Sequence, residues 1–324
     1  MEISKVKLPQ TSSAAAYFFA CMSFAVLQSR NYKPPLRRQY MRRRHRGWRT
    51  SGSGLVSSGI VWFTALLLFS LSGTAWSQAA FKQQATTAQE AIDFVVMANR
   101  ILVLGHIFDA FGHVSARNPE NPKTFFVARA VAPELVTAKD ILEVDLDGNV
   151  VTKSTMRPYA ERIIHGAIYK ARPDVHAVIH AHPASIIAFS VSNVPLKPVM
   201  NGASKFYPAV PVFDEYDFTS PGNTGMLVTT KEQGELLAKR LGSGLAVLMR
   251  GHGYTVVGLD VPSAVSNAIS LRDNAVIQLM ALQLGTPKYI SKEEAPDANK
   301  GSPYLDRPWN AWVQRVKAAM PDMR

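Results

Sequence analysis

A single cysteine, Cys21, serves all 324 residues. The chain beyond it can form no disulfide framework and offers neither a thiolate nucleophile nor a thiolate metal ligand. Any metal centre there has to be assembled from imidazole and carboxylate. Charge is missing from residues 51–80, which contain no Lys, Arg, Asp or Glu. Acid is scarce in front of that gap, where residues 1–50 carry Glu2 alone against eleven Lys or Arg. That segment holds ten of the twelve net positive charges and leaves +2 for the remainder. A body so nearly neutral has no electrostatic basis for binding DNA or RNA, despite a sequence pI near 9.8.

What the N-terminal region does contain is an ordered set of features. Residues 42–49 are basic, 59–71 (GIVWFTALLLFSL) are apolar, and 72–79 (SGTAWSQA) are small and polar. That order is the form of a secretory signal, here 41–79, with cleavage near 77–79 and export to the periplasm. The rival is a membrane anchor, but the apolar run is shorter than the ~20 residues a spanning helix needs. No stable membrane insertion is therefore expected after cleavage. Residues 1–40 form an extension that a signal of this kind does not require, and Met41, directly before the arginines, offers an alternative start. Cys21 would be lost with that segment.

Residues 80–285 are long enough for one α/β domain, and 286–324 form a tail with a short helix. Thr87 and Glu90 make a capping box for an amphipathic helix that Gly105 can close. Short strands are predicted at FGHVSARNP, TFFVARAV and ILEVDLDGNVV, the last turning at Asp147-Gly148. A helix is predicted from Pro158 to Ala171, and others from Pro183, from Lys231 to Leu241 and from Pro262 to Leu284. Strands LAVLM and YTVV flank the triplet Gly251-His252-Gly253. Helices segregated from largely antiparallel strands indicate α+β layering. In the tail, Trp309, Trp312, Val313 and Val316 form an apolar stripe suited to packing.

The informative stretch is DVHAVIHAH, residues 174–182. Its alternation reads as a strand, which places His180 and His182 on one face, about 7 Å apart at a rise of ~3.3 Å per residue. Two imidazoles so placed can converge on one ion, whereas His176 lies too far off to join them. Glu161, at the start of the preceding helix, is either an acid complementing the helix dipole or a fourth ligand or general base beside the metal. His165, one turn further on, reads as structural. The glycines beside His252 either make a tight turn or clear space around a ligand. With His252 the set becomes three imidazoles and an open position, as catalytic zinc requires.

Glu161, then His180-Ala181-His182 nineteen residues on, then His252-Gly253, with GHVSARNP upstream, resemble the class II aldolase and adducin family over roughly residues 86–285. The resemblance implies a divalent metal on His180, His182 and His252, usually Zn2+, with Mn2+ or Mg2+ as alternatives. It implies that Glu161 acts as acid/base or as a neighbour of the metal. It further implies an α/β/α layered fold with a mainly antiparallel sheet, and a homo-oligomer, commonly a tetramer. Adducin-like members, which are interaction proteins, lose the ligands that are all present here.

The departures from the pattern point to the substrate. Sugar-phosphate members of the family cradle phosphate with hydroxyl groups at positions that here hold His113, Arg129 and Tyr159. His113, Ser115 and Arg129 are accordingly the expected substrate contacts, with the Arg129 fork suited to a carboxylate. Tyr159 is expected to fix an enol or carbonyl oxygen and to share proton handling with Glu161. FGHVSARNPENP, APELVT and RPYAE resemble most closely the hydroxy-carboxymuconic semialdehyde decarboxylase-like branch. The expected activity is a metal-dependent carbon-carbon lyase, decarboxylase-like, acting on a small carboxylated keto or enol substrate. The alternatives are an aldolase or epimerase for a small hydroxyaldehyde or sugar phosphate, and a non-catalytic adducin-like interaction protein, which the intact ligand set disfavours.

Overall fold

The structure, a computed structural model, describes residues 83–214, 226–295 and 304–321. The N-terminal extension and the signal segment lie outside the described residues. Helix α1 (Ala88–Leu104) begins at the expected capping box: Thr87 Oγ1 accepts from the Glu90 N–H, and the Glu90 carboxylate accepts from the Thr87 N–H. Its buried stripe, Ala91, Val95, Ala98, Ile101 and Leu102, recurs at helical spacing. Gly105 caps the helix through the Ile101 carbonyl, but the left-handed residue that turns the chain is His106, at φ 54°.

Strands β1 (His113–Arg117), β2 (Thr124–Ala128) and β3 (Ile141–Asp145) follow, the last turning at Gly148. Helix α2 runs over Arg162–Ala171 rather than from Pro158. The cause is the sheet edge: Ala130 N–H donates to the Arg157 carbonyl and Arg129 bridges to Pro158, so the chain is held extended until just before Glu161. Strand β4 (Ala177–Ala181) and helix α3 (Ala184–Ser190) come next. Strand β5 (Val212–Phe213), helix α4 (Lys231–Leu241), and strands β6 (Ala246–Met249) and β7 (Gly253–Gly258) continue the chain. Helices α5 (Val261–Leu284) and α6 (Asp306–Ala319) complete it.

The seven strands lie in the order β3-β2-β1-β4-β7-β6-β5, antiparallel throughout except for the β5–β6 pair. Helices α1, α5 and α6 pack together on one face, with Phe94 against Trp309 at a ring separation of 5.5 Å. Helices α2 and α4 pack on the other, where the ring of Tyr169 meets Phe125 of β2. The result is an α/β/α sandwich around a fully buried central strand, β4. Register then places chemistry side by side. His113 of β1 pairs with His180 of β4, and His180 pairs with Thr255 of β7, a row of polar side chains on the α2 side of the sheet. No helix among the described residues is long and apolar enough to cross a membrane.

Candidate metal centre and active-site cavity

Where β4 runs out beneath the start of α2, four side chains converge. The ligand atoms of Glu161, His180, His182 and His252 all lie within 4.8 Å of one another. His180 Nε2 stands 3.0 Å from His182 Nε2 and 3.2 Å from His252 Nε2. One Glu161 carboxylate oxygen lies 3.4 Å from His180 Nε2 and 3.6 Å from His252 Nε2.

The outer nitrogens explain why these atoms face one another. His180 Nδ1 is 3.1 Å from the Tyr254 carbonyl, which can only accept, so that nitrogen carries the proton. His182 Nδ1 meets the Asp109 carboxylate at 3.1 Å and is a donor for the same reason. Both rings therefore turn a bare Nε2 lone pair inward, with no hydrogen between them to share. Two acceptors at 3.0 Å beside a carboxylate repel unless a cation lies among them. A tetrahedral zinc with bonds of about 2.0–2.1 Å spaces its ligand nitrogens by roughly 3.3 Å, so the donor set fits a divalent ion.

Local structure holds this geometry. Gly251 adopts φ 66°, the left-handed turn that swings His252 back toward β4. A Cβ on Gly253 would collide with the Ala181 carbonyl and press on the His182 ring, so glycine is what lets β7 lie against the end of β4. The turn reading is realised at Gly251, while at Gly253 the missing side chain makes room for the end of β4 and the His182 ring. Burial raises the Glu161 carboxyl, but positive charge placed at His180 and His252, with the Val228 N–H, outweighs it and brings the group down to about 2. Burial, reinforced by His180, brings His252 down to about 4 and keeps the imidazole neutral.

A cavity of about 700 Å³ opens on this cluster, lined by His113, Arg157, Tyr159, Glu161, His182 and His252 among others. Three of the expected contacts require correction. Ser115 is fully buried and bonded to His165 and Tyr169, so it does not reach substrate. Arg129 gives its Nε to Asp140 at 2.6 Å and is absent from the cavity wall. The arginine on that wall is Arg157, which follows the sheet-edge turn and was missed because neither periodicity nor spacing marks it. Tyr159 lines the cavity, but its hydroxyl donates to the Val131 carbonyl, and burial pushes the phenol up to about 12. Its hydrogen is committed to the backbone, and its ring lies against that of His113. Asp109 was also missed, since only the fold brings it to His182.

A three-layered sandwich with a His/Glu cluster at the end of its central strand defines a class of proteins, and the chain belongs to it: residues 93–279 match the class II aldolase and adducin N-terminal domain, the mark of that family. Within the family it falls in the decarboxylase-like branch, and its decarboxylase and aldolase relatives support a lyase. It is 31% identical over 242 residues to decarboxylase tropJ of Talaromyces stipitatus, covering 67% of this chain and 90% of that protein. It is 28% identical over 254 residues to a 3,4-dihydroxyphthalate decarboxylase of Arthrobacter keyseri, covering 72% and 95%. Among solved structures, an L-fuculose 1-phosphate aldolase from Glaciozyma antarctica superimposes with a TM-score of 0.60 at 26% identity, covering 73% of this chain and 92% of that one.

Proposed function

We propose that the protein is a divalent-metal-dependent carboxy-lyase, with Zn2+ on His180, His182 and His252, acting on a small acid that carries a carboxylate and an enol or phenol hydroxyl. The observation that carries this reading is the cavity wall, which includes Arg157 and His113 along with Glu161, His182 and His252. A guanidinium fork matches a carboxylate, whereas a phosphate dianion is met by several hydroxyl and backbone N–H donors. The names of the decarboxylase relatives support the same substrate class, with a dihydroxylated aromatic acid as the nearest example.

A bound ion would supply a Lewis acid that draws electron density from substrate oxygens. Arg157 holds the carboxylate, and Tyr159 packs against the body of the substrate. Glu161, ionised and buried, takes the proton of the substrate hydroxyl. The carbon-carbon bond then breaks, carbon dioxide leaves, and its electron pair stays on the enol or ring framework. Glu161 returns the proton to the vacated carbon, and water restores the hydroxyl proton on release.

Incubating the zinc-loaded protein with 3,4-dihydroxyphthalate and, separately, with L-fuculose 1-phosphate tests this. Carbon dioxide from the first and no aldehyde from the second is the expected result. Robust aldol cleavage with no carbon dioxide would overturn it in favour of the aldolase. The same proposal includes a homo-oligomer, a tetramer being the form expected. Its support is the apolar stripe Val276, Ile277, Met280 and Leu284 exposed along one face of α5. Sedimentation of the purified protein as a monomer would remove it.

A further inference from the structure

Behind the cavity wall a chain of hydrogen bonds leads away from the cluster into the core, and no step above uses it. His113 Nδ1 lies 2.7 Å from His165 Nε2, His165 Nδ1 lies 2.6 Å from Ser115 Oγ, and Ser115 Oγ lies 2.8 Å from the Tyr169 hydroxyl. All four side chains are buried.

Proton counting gives this chain one direction. Among the described residues the Tyr169 hydroxyl has one hydrogen-bond partner that can accept, Ser115 Oγ. Its hydrogen therefore goes to Ser115. Ser115 has one hydrogen of its own, and its remaining neighbour is His165 Nδ1. That nitrogen accepts, so His165 is a neutral ring with its proton on Nε2, which it donates to His113 Nδ1. His113 is then neutral as well, with its proton on Nε2 and its ring on the cavity wall.

We propose that Tyr169, Ser115 and His165 are an orientation relay that holds His113 as a neutral Nε2–H donor into the cavity, where it takes an unprotonated oxygen of an anionic substrate. In this role His113 cannot serve as a base, and it selects an acceptor over a donor at its place in the cavity. Ser115 and His165 are positioning residues, acting only through His113. The choice of a carboxylate as that oxygen rests on the decarboxylase reading; the direction of the relay does not.

Two-bond proton–nitrogen correlation spectra of zinc-loaded, 15N-histidine-labelled protein test it, with His113 assigned by its loss in His113→Gln. Expected are protonated Nε2 and bare Nδ1 on both His113 and His165. Phthalate, an unreactive dicarboxylate, serves as the binding probe. Ser115→Ala releases His165 to exchange tautomers, so His113 should become a mixture and the phthalate Kd should rise several-fold. His165→Leu should raise it about tenfold, and His165→Gln, whose amide can still donate to His113 Nδ1, should recover most of the loss. A purely structural network would lower Tm and leave the spectrum of His113 and the phthalate Kd unchanged. If His165→Leu does not fold, Ser115→Ala carries the test. A proton on His113 Nδ1 in the unaltered protein, or phthalate affinity indifferent to Ser115→Ala and His165→Gln alike, overturns the proposal. Failure of 3,4-dihydroxyphthalate to release carbon dioxide would sink the decarboxylase reading without altering the spectrum.

Discussion

The backbone N–H of Val228 donates to one carboxylate oxygen of Glu161 at 3.1 Å, while the other oxygen is aimed at His180 Nε2 and His252 Nε2. One oxygen is an anchor and the other is free for chemistry. The two residues are 67 positions apart, so the segment entering α4 sets the aim of a side chain at the start of α2.

Glu161→Gln keeps the shape and removes the charge. Turnover should fall by about two orders of magnitude or more, because a positioned acid–base group contributes roughly 10²- to 10⁴-fold. Bound metal, measured by elemental analysis, should persist in part. Full activity in the glutamine variant would take Glu161 out of the proton transfer.

His180→Ala and His252→Ala should each lose stoichiometric divalent metal together with activity, since two imidazoles do not hold zinc as three do. Chelation of the unaltered protein should lower Tm, in line with a site that binds only the folded state and stabilises it by about 2.7 kcal/mol at a hundredfold excess over Kd. Retention of one metal per chain in either variant would remove that histidine from the ligand set.

Asp109 holds His182 through Nδ1 and also accepts from the N–H groups of Phe111 and Gly112. Asp109→Asn removes the charge that makes the imidazole a strong ligand. Metal affinity in a competition titration should drop about 10- to 100-fold, the usual effect of losing such a partner. An unchanged affinity would mean that the carboxylate only shapes the loop.

Arg157 and Arg129 should separate cleanly. Arg157→Ala should raise KM for a carboxylated substrate by about one to two orders of magnitude, the loss of a hydrogen bond to charge of ~1.5–3 kcal/mol. Arg157→Lys should restore only part of it, lacking the fork. Arg129→Ala breaks a partly exposed pair with Asp140, whose carboxylate keeps its bonds to Thr137, so its effect should be a loss of stability of about 1 kcal/mol with KM unmoved. The reverse pattern would return the carboxylate to Arg129.

If residues 41–79 are a cleaved signal, protein recovered from the source cell should begin near residues 78–80. Recovery of the intact N-terminus in a membrane fraction would support an anchor instead.

Sequence by itself determined whatever depends on neighbours along the chain. The Thr87–Glu90 box started α1, and the period of two in VIHAH put His180 and His182 on one face. Glycines around His252 announced a turn and a close approach, and the spacing of these residues identified the family. Only the tertiary structure decided what depends on register between distant strands. Ser115 turned inward because β1 and α2 bring it to His165 and Tyr169. The pairing of Arg129 with Asp140, beside its bridge to Pro158, left the cavity to Arg157. Tyr159 gave its hydrogen to Val131, and Asp109 reached His182 across 73 positions. A side chain's residue type fixes which bonds it can make, but which partner it meets is set by the packing of segments that the sequence keeps far apart.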